Sequence, residues 1–241
     1  MLESSSWPTV YRRPEEVPER FLNFIKPEIV RSLGCPIDEM FPAFAAEFPK
    51  TAEAMRAHWP SPVLAFVESM GIAMGMLVLE GADRNIFFGH CSHTLPVEGA
   101  EFESYVAMLP SSWKELYRWF WSFNITDMQV PSVFWRNTPV SYASRLRLAD
   151  WAKMFKGGSA KAKAFAKQVE SVELRGWLVT DAGDSLWLDE QRCDRVVYHV
   201  HGGAFDEAAV LEDSRGTLDR YLAHVVSGGS PAEFDFRSLP F

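Results

Sequence analysis

His90-Cys91-Ser92-His93 packs two imidazoles and a thiol into four residues, the set in this chain best suited to hold a soft metal. A structural zinc site needs four ligands, and no CxxC or HxxxH pair lies nearby to complete this one. The string therefore reads first as a polar loop after a strand. His199 and His201 form a second pair, two apart in a segment of strand-like period, so both project from the same face. Asp184, Asp189 and Asp206 would join them only if folding gathered all five, and the ordinary reading is two hydrogen-bonded sheet histidines. A metal-dependent hydrolase built on either histidine pair is the alternative that these residues keep open.

Carboxylates supply the other chemistry. Asp181, Asp184, Asp189, Glu190 and Asp194 fall at or beside turns. Paired carboxylates serve as general acid and base or hold a divalent cation, but the order is not that of a calcium-binding EF-hand loop. Aspartate and glycine also simply suit turns. A third role is an exposed electronegative edge that steers a basic partner. No nucleophile elbow, phosphate-binding loop, dinucleotide fingerprint or HExxH motif is present, so no cofactor is expected.

Charge sharpens the third role. The chain carries 32 acids against 24 bases, a net charge of −8, the wrong sign for a general nucleic-acid binder. Residues 176–241 hold 12 acids and 5 bases, whereas residues 145–175 hold 8 bases and 3 acids. The basic stretch, with Arg145, Arg147, Lys153, Lys156, Lys161, Lys163 and Lys167, reads as a solvated helical face. Cys35, Cys91 and Cys193 are sparse and unpaired in sequence, which fits a reducing compartment. The longest apolar run, Gly71 to Leu79, is too short to span a bilayer, so a cytoplasmic protein without a membrane partner is expected.

The elements that position these residues follow from periodicity. Pro8, Pro14 and Pro18 make the first twenty residues an extended arm. Helices are expected over Phe21–Leu33, with Pro27 able to split it, over Ile37–Phe48, over Thr51–Trp59 and over Val63–Met70. Met74–Glu80 reads as a buried strand and Asn85–Gly89 as a short edge segment. Trp113, Leu116, Tyr117, Phe120 and Trp121 share one helical face, which leaves Trp119 off that face as an exposed anchor. Val130–Trp135 reads as a strand, Tyr142–Phe155 as a helix, and Ser159–Val169 as a lysine-rich helix or a solvated loop.

The period then changes to two, with strands at Trp177–Thr180, Ser185–Leu188 and Arg195–Val200, and a further strand at Ala208–Leu211. On this alternation Trp187 opposes Leu186 and Leu188, and one face must be buried. Ser214 is the expected N-cap of a last helix bearing Leu218, Tyr221, Leu222, Val225 and Val226 on one face, closed by Gly228-Gly229.

From residue 102 to about 227, the order of these pieces resembles the SUKH superfamily of bacterial toxin-immunity domains. The resemblance rests on Leu109-Pro110 before the aromatic LYRWF segment, on GDSLWLD from Gly183 to Asp189, on RVVYHVHG, and on TLDRYLAHVV. Ile125 follows Asn124 where the family has Asn-Gly, and the first hundred residues lie outside the resemblance.

The resemblance implies an α+β fold, a mixed, largely antiparallel sheet packed against helices. A mainly helical N-terminal extension, residues 1–101, would pack on a domain of residues 102–241. It implies a cytoplasmic binder and not an enzyme, one that occludes the active site of a cognate toxin, for example a nuclease effector used in bacterial competition through type VI secretion. Asp181, Asp184, Asp189, Glu190, Asp194 and Trp119 are then the expected partner-binding residues, facing a basic toxin. A homodimer is compatible with this reading.

Overall fold

The computed structural model describes residues 9–22, 25, 27–58, 62–69, 72–80, 85–91, 120–127, 159–169, 174–179, 184–189, 197–201, 204–211, 213–230 and 233–236. The fold is α+β. Strand β1 (Thr9–Tyr11) and a 3₁₀ turn (Pro14–Glu16) precede five short helices. These are α1 (Glu19–Leu22), α2 (Pro27–Arg31), α3 (Ile37–Met40), α4 (Pro42–Glu47) and α5 (Pro49–His58). Prolines at 27, 42 and 49 each open a helix, because a first-turn residue needs no amide donor and a fixed φ suits it. Pro27 thus splits the expected Phe21–Leu33 helix in two.

Two antiparallel sheets follow. The first runs β1–β2–β3–β4–β5, with β2 Pro62–Ser69, β3 Ile72–Glu80, β4 Asn85–Cys91 and β5 Phe120–Asp127. The second runs β6–β7–β8–β9, with β6 Leu174–Val179, β7 Asp184–Asp189, β8 Val197–His201 and β9 Ala204–Leu211. Helix α6 (Ala160–Val169) packs against β9, and α7 (Ser214–Val226) packs on α5. Every strand pairing among the described residues is antiparallel, and the strands form two sheets instead of the expected single mixed one. The expected division between residues 101 and 102 falls between β4 and β5, which are hydrogen-bonded neighbours.

Two segments expected to be helical lie in strands over their described residues. Val63–Ser69 lies in β2, where β3 pairs along the whole strand and Leu64, Ala65 and Phe66 have β1 on the other side as well. Phe120–Phe123, expected in the aromatic helix, lies in β5 beside β4. Asn85–Gly89 is an interior strand and not an edge, with β3 on one side and β5 on the other. Trp113, Leu116, Tyr117, the Val130–Trp135 strand and the Tyr142–Phe155 helix lie outside the described residues. The lysine-rich segment is helical, and Lys161, Lys163 and Lys167 are exposed on it.

One hydrophobic cluster joins α1 through α5, Leu64 of β2, Leu186 of β7, Leu211 of β9, the inner face of α7 and Phe236. Leu218, Tyr221, Leu222, Val225 and Val226 are all buried, as the 3.6-residue period of that segment requires. After α7 the chain folds back so that Phe234 and Phe236 stack on Tyr221, each ring centroid 5.2 Å from the tyrosine ring.

Two local devices set the entry to the helices. The Glu16 carboxylate accepts from the Arg12 amide at 2.8 Å, the Arg13 amide at 3.3 Å and Arg13 Nε at 2.9 Å. These donors, the Arg12 amide foremost, hold its pKa below the usual carboxylate range, so the tie is intact at neutral pH and is lost as pH falls through the lowered value. After α2 the chain reverses at Gly34, whose φ of +85° is left-handed. A Cβ there would also stand 3.3 Å from the Arg12 carbonyl oxygen. Gly34→Ala is expected to lower stability by about 1–2 kcal/mol, read as a lower urea midpoint at unchanged slope.

Candidate functional site

A buried polar pair, Thr51 and Asp219, and the exposed Arg215 join α7 to the break between α4 and α5. A helix ends in unsatisfied carbonyls and begins with unsatisfied amides, and this break presents both kinds between Ala46 and Thr51. Arg215 serves the carbonyls: its Nε donates to the Glu47 carbonyl at 2.9 Å and its Nη2 to the Ala46 carbonyl at 3.3 Å. One helical turn later, Asp219 serves the amides. Its carboxylate accepts from the Lys50 amide at 3.0 Å and the Thr51 amide at 2.8 Å. The Thr51 hydroxyl lies 2.8 Å from Asp219 Oδ1 and 3.1 Å from the Asp219 carbonyl, and its single proton serves one of them at a time. Thr51 and Asp219 are 0% and 4% exposed, so this pair has no water to fall back on. The signs also suit the helix dipoles, a cation at the end of α4 and an anion at the start of α5.

The expected N-cap of α7, Ser214, is displaced by one residue. Asp213 takes the role, its Oδ1 accepting from the Gly216 amide at 2.8 Å.

Beside this clamp, α5 and α7 border an open groove of about 390 Å³. Lys50, Glu53 and Ala57 line one wall, and Arg220, His224 and Ser227 the other. His224 Nε2 lies 3.0 Å from the Ser230 carbonyl, to which it donates, and its ring stacks on Phe234. Nε and Nη2 of Arg220 are shielded from solvent and have no hydrogen-bond partner. Asp213 Oδ2 lies 3.8 Å from Nη2.

Of the candidate residues singled out from sequence, Asp184, Asp189, Asp206, His90, Cys91, His199 and His201 are described. Asp184 opens β7 and is 3% exposed, so its carboxylate does not belong to an exposed edge as expected. Period two explains this, because Asp184 shares the face of the core residue Leu186. Across the sheet Asp184 pairs in register with His201, and Leu186 with His199. Asp189 ends β7 opposite Leu174. Asp181, Glu190, Asp194 and Trp119 lie outside the described residues, as do Ser92, His93 and Cys193.

His90 lies in β4 at a register shift against β5, and Cys91 pairs with Phe120. His90 and the His199/His201 pair therefore belong to different sheets. No group of three or more metal-ligating side chains occurs among the described residues. Among them, too, no helix is long and apolar enough to cross a membrane.

Trp187 is buried at 2% exposure, and its indole Nε1 donates to Ser185 Oγ at 2.9 Å. Both faces of β7 are thus covered over Asp184–Trp187. The sequence reading missed Asp219, Arg215 and Thr51. Its one available signal was an Arg and an Asp four apart, flanking the apolar stripe of α7. Comparison of the chain with protein-family models, with curated proteins and with solved structures gave no match.

Proposed function

We propose that this chain is a protein-binding domain, a cytoplasmic immunity protein that neutralises a bacterial toxin in the manner of the SUKH superfamily. The observation that carries the reading is the order of the C-terminal half: an antiparallel β6–β7–β8–β9 meander running directly into a closing helix, α7. β7, β8 and α7 fall on three of the segments that carry the sequence resemblance, GDSLWLD, RVVYHVHG and TLDRYLAHVV. The excess of acids over bases in residues 176–241 supports a basic partner, since opposite fields speed encounter and suppress wrong pairings. Asp189 ends β7, at the far end of the strand from the buried Asp184, with Glu190 next to it in the chain, and these two are the residues we assign to that role.

The test is co-expression with a toxin encoded beside this gene. Cells are expected to survive, and the two proteins to co-purify free of nucleic acid. Killing at full co-expression sinks the proposal. With the complex in hand, reversing the charges of Asp189 and Glu190 together is expected to slow association by up to about tenfold at low salt, an effect that shrinks as salt is raised. Surface plasmon resonance reads both, and an unchanged on-rate and salt slope would move the interface elsewhere.

A further inference from the structure

We propose that the groove between α5 and α7 is a binding site for a short aliphatic carboxylate, held by Arg220 and Lys50. This does not depend on the toxin-binding reading, since the groove lies on the helical side of the fold and uses none of the acidic residues invoked there.

The argument starts from Arg220. Nε and Nη2 form one edge of the planar guanidinium, two parallel N–H donors whose spacing matches the two oxygens of a carboxylate. In this chain that whole edge is shielded from solvent and unpartnered. Native interiors rarely leave such donors unpaired, and each instance calls for a partner. The adjacent acid does not supply one. Asp213 Oδ2 stands 3.8 Å from Nη2, beyond hydrogen-bonding reach, while its other oxygen caps α7 through the Gly216 amide at 2.8 Å. Asp219 is likewise occupied, accepting from the Lys50 amide and the Thr51 amide and hydroxyl. Among the described residues, Arg220 thus has an ion-pair contact with Asp213 at 3.8 Å but no hydrogen-bonded counter-ion.

The groove supplies the rest of a site. Arg220 lines the groove and keeps 28% of its side chain exposed, while the free edge itself is shielded, so a ligand engages that edge only after a turn about the terminal torsions. Lys50, across the groove, has an exposed side chain that makes no ion pair with any described residue. It adds a second cation as a mobile point charge. Ala54, Ala57 and Ala223 leave an apolar floor for a few methylene groups. Ser227 is the polar group at the rim, and Glu53 is the one acid in the lining, which limits the site to ligands of small negative charge.

The experiment is a titration of isotope-labelled full-length protein with succinate, followed by amide chemical shifts at ionic strength matched with sodium chloride. Saturable shifts are expected in α5 and α7. Lys50→Met and Arg220→Lys are each expected to weaken succinate by about tenfold or more, the second because lysine keeps the charge but loses the fork. Glu53→Gln is expected to tighten it severalfold. Lys50 is exposed, so its variant tests the site without threatening the fold, and unchanged urea midpoints verify this. Succinate shifts no larger than those from sodium chloride would overturn the proposal, as would unaltered binding by Lys50→Met. Saturation by inorganic phosphate but not by succinate would overturn the carboxylate assignment.

Discussion

Asp219→Ala is expected to cost about 3–5 kcal/mol of folding stability, a large share of the roughly 5–15 kcal/mol available to a domain. The carboxylate takes three hydrogen bonds in a site closed to water, from the Lys50 amide, the Thr51 amide and the Thr51 hydroxyl. Alanine leaves the Thr51 amide and hydroxyl without that acceptor, and an unsatisfied buried donor costs more than the average hydrogen bond contributes. It also uncaps α5. Urea denaturation should show a midpoint lower by roughly 1–2 M, for a slope of about 2–3 kcal/mol per molar.

Asp219→Asn keeps an acceptor for the Thr51 amide but turns an NH₂ group toward the Lys50 amide, so an intermediate loss is expected. Thr51→Val should cost about 1 kcal/mol, and combined with Asp219→Ala should cost less than the sum, since the two act on one network. An Asp219→Ala protein within about 0.5 kcal/mol of the parent would mean that the clamp is incidental to stability.

The second large effect is at Trp187. Trp187→Ala is expected to cost about 3–5 kcal/mol and to lower the melting temperature by roughly 6–20 °C. The side chain is 2% exposed on an interior strand whose other face, through Leu186, belongs to the main core. Trp187→Phe retains part of the volume but loses the donor to Ser185 Oγ, so a smaller loss is expected. Thermal melts read beside partner-binding titrations separate two roles for this tryptophan. A variant that unfolds early and binds normally below its transition confirms a core residue. One that keeps its melting temperature but loses the partner makes Trp187 an interface anchor and overturns its place in the interior.

These two residues show what the sequence made legible. Trp187 and the stripe of α7 follow local periods, and a period fixes which side chains share a face without any knowledge of what covers it. The burial of Asp184 was open to the same logic, because parity with Leu186 places it inward; its position beside a Gly-Asp turn suggested exposure instead. Val63–Met70 and Phe120–Phe123 were misread because short runs of branched and aromatic residues suit both helix and strand, and strand neighbours distant in sequence decided the outcome. Register shifts beside His90 and Trp177 were equally invisible, since a bulge is set by the partner strand as much as by its own residues. The Asp219–Thr51 clamp lies beyond any local pattern, with 168 positions between its members.

That separation has a consequence for the order of events during synthesis. At roughly 5–20 residues per second, a ribosome that has just released α5 needs about 10–30 s more to make Arg215 and Asp219. Until then the start of α5 lacks its cap, and Phe41, Phe44 and Phe48 lack the helix that helps to bury them. The nascent N-terminal segment is thus expected to keep apolar surface open to chaperones until α7 arrives. Closing so long a loop comes at an entropic cost before any contact rewards it, so docking of α7 is the natural slow step in refolding from denaturant as well.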